Sequence, residues 1–208
     1  MKITKFVHSC VLVEDNGKTV LFDPGNYTRE SNLLDLSKID RLDAIAITHE
    51  HMDHMDIPLI KQIVTKFPNT PIFGNTSIKG ILEKEGISVN TVGNDFIKMI
   101  PVPHEKIFMG PSPLNDMITF NGNFASPGDS LTFNSCPEVL ALPVQAPWGS
   151  TTWACETALK VKPKYIVPIH DFHWKDTVKT AMYNRLEQYF AQYGITFLKP
   201  QDGISLEI

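Results

Sequence analysis

Residues 49–54 read HEHMDH, three histidines and an aspartate in six positions. They follow directly on DAIAIT (43–48), a short apolar run of buried-strand type. Imidazole and carboxylate are the ligands of zinc and its first-row relatives. A helix places i and i+4 on one face, so histidines at i, i+2 and i+5 would be scattered around it. A turn leaving a strand can converge them instead. His49 and His51 then share one metal, while Asp53 and His54 reach a second. A catalytic zinc keeps about three protein ligands and one open position. Two such sites need more ligands than this segment holds, so the fold must bring the others from elsewhere.

The remaining chain reads as strands and helices in alternation. KITKFV, CVLVE and TVLFDP alternate as strands, and the Asn-Gly of DNGK between the last two signals a hairpin. Helices are expected over 57–67, with Pro58 in the first turn, and over 76–86, capped by Thr76 or Ser77 and ended by Gly86. Strands are expected at 71–74, 88–92 and 96–102, then a Pro/Gly/Asn-rich loop over 105–117. The second half repeats the grammar. Strands are expected at 117–121, 123–126, 138–142 and 164–170, helices at 151–161 and 176–193, and closing strands in ITFLK and GISLEI. That order implies α/β layers with both sheets covered, in one domain spanning 1–208.

Other metal-ligand types stand at the ends of apolar strands, where α/β proteins commonly place function. His104 follows IKMIPVP, Asp129 lies in SPGDS, and His170 ends YIVPI. Cys136 is an alternative to Asp129. Asp23 in LFDPG is either a turn aspartate before proline or a carboxylate that orients a ligand histidine. His8, after the first strand, is either exposed or beside the site. Trp148 in APWGS either lines a pocket or packs, and Asp171 and His173 stand near the site without binding metal.

With these residues in order, the chain resembles hydrolases of the metallo-β-lactamase superfamily over essentially its full length. HEHMDH matches the family's H-x-H-x-D-H signature. The resemblance implies an αββα sandwich of two mixed sheets flanked by helices, with the site at one edge. It implies that His49, His51 and His104 hold one metal, that Asp53, His54 and His170 hold the other, and that Asp129 bridges both. It also makes Asp23 the buried aspartate beneath the metal histidines. The second aspartate of HMDHMD and the short length look closest to the lactonase-like branch, which includes the bacterial ascorbate-phosphate lactonases. Met55 and Asp56 depart from the glycines usual in glyoxalase II, and His51 departs from the glutamate of the diiron flavoproteins.

The expected function is hydrolysis of a small, anionic ester, lactone or phosphodiester. The metals would be two divalent ions, zinc foremost, with manganese, iron and nickel suited to the same ligands. Two metals about 3.5–4 Å apart can share a water and lower its pKa towards about 7, and the hydroxide would attack while Asp53 orients it and takes its proton. The alternatives are a phosphodiesterase in the same fold and a non-catalytic metal-binding or ligand-sensing domain. A net charge of −4 and the lack of a basic run argue against nucleic acid. No apolar run approaches 18 residues and the first ten lack a signal-peptide core, so no membrane association is expected. Three widely spaced cysteines, Cys10, Cys136 and Cys155, suit reduced thiols in a cytoplasm. Oligomeric state is not readable.

Overall fold

A computed structural model describes residues 1–108 and 110–208. The chain runs β1 (Lys2–Lys5), β2 (Val11–Asp15), β3 (Lys18–Phe22), α1 (Asn26–Ser31), β4 (Ala44–Ala46), α2 (Ile57–Lys66), β5 (Ile72–Phe73), α3 (Thr76–Leu82), β6 (Ile97–Pro101), β7 (Asp116–Phe120), β8 (Phe124–Ser126), β9 (Val139–Pro143), α4 (Thr151–Val161), β10 (Tyr165–Ile169), α5 (Asp176–Ala191), β11 (Thr196–Phe197) and β12 (Ser205–Glu207). These form two six-stranded mixed sheets, ordered β12-β1-β2-β3-β4-β5 and β11-β10-β9-β8-β7-β6.

Strand alternation sorts the apolar side chains into layers. Val11, Val13, Val20 and Phe22 from the first sheet meet Ile118, Phe124, Ala141 and Val167 from the second in one interior cluster. The alternate residues Leu12, Leu21 and Ile45 face outwards, onto Leu59, Ile60 and Ile63 of α2 and Ile78 of α3. On the other side Leu140, Leu142 and Ile166 meet Ala154 and Ala158 of α4 and Leu186 and Phe190 of α5. The result is the αββα sandwich. Both sheet faces are covered, which explains why the strands read as continuous apolar runs.

Local chemistry sets the turns. Asn16 and Gly17 have φ of 49° and 71°, the positive pair a two-residue hairpin of this hand needs between β2 and β3. Asp56 caps α2, accepting from the Leu59 N–H at 2.8 Å, and Ser150 caps α4. For α3 the cap is Asn75, whose side chain accepts from both Ser77 and Ile78 N–H, rather than Thr76 or Ser77.

Three expectations differ in detail. Residues 88–92 do not form a strand: only Asn90 pairs, bridging to Phe73, while Val89 turns into the apolar layer under the helices. The helix expected over 76–86 stops at Leu82 and tightens into a 3₁₀ turn over Glu83–Glu85. α1 was not expected, because NYTRES has no apolar stripe and buries only Thr28. No helix among the described residues is long and apolar enough to cross a membrane.

Candidate metal centre

One edge of the sandwich collects the carboxyl ends of six strands. β1 delivers His8, β3 delivers Asp23, β4 runs into Thr48 and residues 49–54, β6 leads to His104, β8 to Asp129 and β10 to His170. Three of these, His8, Asp23 and His170, have left-handed backbones with φ of 61°, 45° and 64°. That conformation is costly for a side-chain-bearing residue and concentrates at functional sites. The 51–54 turn is packed directly on Gly25: a methyl there would overlap the Asp53 carbonyl oxygen, so only glycine fits.

The side chains at this edge fall into two groups, His49, His51, His104 and Asp129, and His8, Asp53, His54 and His170. Within each group the ligand atoms lie within 4.8 Å of one another. Asp129 stands between the groups, with one oxygen towards each. Its Oδ1 lies 2.7 Å from His170 Nε2 and 3.0 Å from His54 Nε2. Its Oδ2 lies 3.3 Å from His104 Nε2 and 3.7 Å from His49 Nε2. Several of these atoms are buried without a hydrogen-bond partner: His49 Nε2, His104 Nε2, Asp129 Oδ1 and, on the far side, His8 Nδ1. His54 Nε2 and His170 Nε2 face each other at 2.9 Å. Buried polar atoms are normally satisfied, and inward-facing lone pairs on this many imidazoles are what a cation satisfies. The donor set of imidazole and carboxylate without thiolate fits divalent first-row metals.

The opposite ring nitrogens are held by the protein, as metal ligands require. Asp23 is fully buried. Its Oδ1 accepts from the Thr48 N–H at 2.8 Å, and its Oδ2 takes the His54 Nδ1–H at 3.0 Å. His104 Nδ1–H donates to the Glu105 carbonyl at 2.6 Å, and Glu105 N–H in turn donates to the Asp129 carbonyl. The Trp148 indole N–H donates to Asp129 Oδ2 at 2.9 Å. His8 Nε2–H donates to Asp53 Oδ2 at 3.0 Å.

Electrostatics follow the same crowding. Burial alone would raise Asp129, but His170, His54 and His49 around it hold its carboxyl well below the usual range. Burial opposes protonation of His54, yet Asp129 and Asp23 outweigh it and carry its pKa well above normal. His49 is pushed well down by burial and then by His54. His8 falls to about 3, from burial and the adjacent His170, so the ring that donates to Asp53 is neutral. Asp53 is lowered against its burial by that hydrogen bond and by His54.

The edge therefore brings together His49, His51, Asp53, His54, His104, Asp129 and His170. Asp23 lies behind His54, and Trp148 reaches Asp129. His8 stands inside the second group rather than beside it. The exposed His173 stays outside both groups, its ring 6.0 Å from that of His8. Cys136 is remote, its thiol directed to the Val161 carbonyl and packed beside the α4–α5 layer. Sequence reasoning missed Tyr27 and Phe172, which stack at 3.9 Å beside His8. Their signal was weak: Tyr27 sits in the unexpected α1, and Phe172 is a lone aromatic in a loop.

Comparison with known proteins gives the chain its relatives. Residues 2–170 match the beta-lactamase superfamily domain. Protein Rv0786c of Mycobacterium tuberculosis is 27% identical over 202 residues, covering 90% of this chain and 92% of its own. A UPF0173 protein of Pyrococcus furiosus is 25% identical over 223 residues, covering 99% and 100%. The solved structure of Igni18, a metallo hydrolase from Ignicoccus hospitalis, superposes with a TM-score of 0.69 at 19% identity, covering 100% of this chain and 98% of that one. The chain belongs to the β-lactamase superfamily and has the metallo-β-lactamase fold.

Proposed function

We propose that this protein is a metal-dependent hydrolase that holds two divalent ions and cleaves a small, anionic ester, lactone or phosphodiester. The observation that carries the reading is the split of Asp129, one oxygen towards His54 and His170 and the other towards His49 and His104. In this reading His49, His51 and His104 hold one ion, Asp53, His54 and His170 the other, and Asp129 touches both. The ions would supply Lewis acidity and a water acidified towards neutrality. Everything else falls to the chain. Asp53 is the carboxylate that orients the attacking water and takes its proton, and the His8 N–H fixes which of its oxygens is free to do so. Asp23 holds His54 in the tautomer that presents Nε2 inwards. Trp148 keeps Asp129 from rotating. The family membership and the metallo hydrolase among the fold neighbours support the reaction class.

The test is metal analysis with a substrate panel. Protein loaded with zinc or manganese is expected to hold about two ions per chain and to turn over a member of a panel of carboxylic esters, lactones and phosphodiesters. Chelation should abolish turnover while the circular dichroism spectrum persists. At most one ion per chain under saturating zinc and manganese alike rules out the two-ion reading. Two ions with no turnover across the panel points instead to a ligand-sensing domain.

A further inference from the structure

The end of β1 holds a lysine with no exposed surface, Lys5, one of the largest fully buried side chains among the described residues. Its ammonium lies 3.0 Å from Asp171 Oδ1 and 2.8 Å from Asp202 Oδ1. Lys179 of α5 closes the ring, 2.8 Å from Asp171 Oδ2 and 3.0 Å from Asp202 Oδ2. The Tyr183 hydroxyl also donates to Asp171 Oδ2. Two cations and two carboxylates thus balance, and together they join four places in the chain: the first sheet, the end of the second sheet, α5 and the turn before β12.

Stability is a weak explanation for four charges here. A buried ion pair recovers little more than its desolvation cost, and apolar residues of equal volume often serve as well. Position is a better one. Asp171 directly follows His170, and Lys5 lies three residues before His8. Those are the two left-handed histidines, one from each sheet, whose rings meet at a centroid separation of 4.0 Å. The Lys5–Asp171 pair crosses between the sheets immediately behind that contact. Within the first sheet, the Gly203 N–H, next to Asp202, donates to the Lys5 carbonyl at 2.7 Å and so fixes the Asp202 turn against the end of β1.

We propose that the Lys5–Asp171–Lys179–Asp202 quartet is a positioning device for the second metal group, holding His170, and against it the His8 ring that fixes Asp53, in place whether or not an ion is bound. The inference rests on the two-ion reading above. Its consequence is selective. Loosening the quartet should free the His170 turn and weaken the second ion, while His49, His51 and His104, carried by β4 and β6, keep the first.

Metal titration against a chromophoric chelator, with zinc as the probe, separates the two claims. Wild type binding two zinc ions establishes the reading on which the inference rests. Two backgrounds then isolate the groups: His51→Ala leaves the second group intact, and His170→Ala leaves the first. Into each goes the charge-balanced pair Lys5→Met with Asp202→Asn, which cuts the inter-sheet tie but keeps Lys179, Tyr183 and Asp171 together. Lys199→Met with Glu187→Gln, an exposed pair 2.7 Å apart, is the control. In the His51→Ala background the cut should lower zinc affinity about 10–100-fold, the range for removing a partner that orients a ligand. In the His170→Ala background it should change nothing. Equal losses in both backgrounds, or none in either, overturn the proposal. So does a cut variant that fails to fold while the control folds, because the quartet is then a folding element first.

Discussion

Asp23 is where a single atom decides the site. Its two oxygens have different jobs, Oδ1 accepting from the Thr48 N–H and Oδ2 from the His54 Nδ1–H. Asparagine can supply only one of these acceptors. With its oxygen on Thr48, its amide N–H meets the His54 Nδ1–H, and the ring must shift its proton to Nε2, the atom that faces Asp129. Asp23→Asn is therefore expected to lower metal affinity about 10–100-fold with little loss of fold, read by chelator competition. Asp129→Ala should release both ions, because one oxygen faces each group. Cys136→Ala should release neither, since its thiol is pushed up to about 11 by burial and points at the Val161 carbonyl. Metal content of the two variants checks this, and the reverse pattern would show the bridge wrongly chosen. His170 and His173 give a second contrast three residues apart. His170 is buried within the group and His173 exposed outside it. His170→Ala should weaken the second ion and remove most turnover, whereas His173→Ala should keep both ions and show in KM.

At the scale of elements, the turn of residues 49–54 is clamped from both ends. Thr48 is bound to Asp23 ahead of it, and Asp56 caps α2 after it while accepting from Arg29 Nε of α1 at 2.9 Å. Asp56 is therefore the residue that starts α2 and ties it to α1. Asp56→Ala should cost about 1 kcal/mol, the usual worth of an N-cap, seen as a lower denaturation midpoint with metal content kept. Gly25→Ala acts on the other flank. Its methyl cannot coexist with the Asp53 carbonyl, so the turn must move. The cost is expected at about 1–3 kcal/mol, with weaker metal binding as well. The contrast explains what the sequence could disclose. The strand into residues 49–54, the Asn16–Gly17 hairpin and α4 are local patterns, and each is where the spacing put it. α1 is held by Gly25, Arg29 and Thr28 contacts to distant residues, and no window of NYTRES records them. His8 is the same case. In sequence it follows a strand, and only the order β1-β2-β3-β4 within the first sheet brings it to Asp53, 45 positions away.

Across the whole molecule, the two sheets are joined by an apolar interior and, at the metal edge, by charge. That charge predicts how the protein fails in alkali. Burial would lower Lys179, but Asp171 and Asp202 outweigh it and hold its pKa above the ordinary lysine value. Burial and then Asp171 also raise Tyr183 far beyond the ordinary phenol. Both groups keep their protons more tightly folded than unfolded. The unfolded chain releases them near pH 10 to 10.4, while the folded chain still binds them. Their contribution is thus fully present below pH 10 and is lost as pH rises through the folded values, because the native state then binds more protons than the unfolded one. Denaturant midpoints measured from pH 7 to 11 should be flat with respect to these groups at first and fall above about pH 10. Tyr183→Phe removes one of the two proton-retaining groups and should make that fall shallower, at the cost of the hydroxyl that Asp171 accepts from. An alkaline slope identical in Tyr183→Phe and wild type would show that the tyrosine is not protonated against its surroundings. If the quartet also positions His170, the second ion should stay bound through the pH range in which stability first falls, because the folded chain still holds these protons there, and should be released only at higher pH.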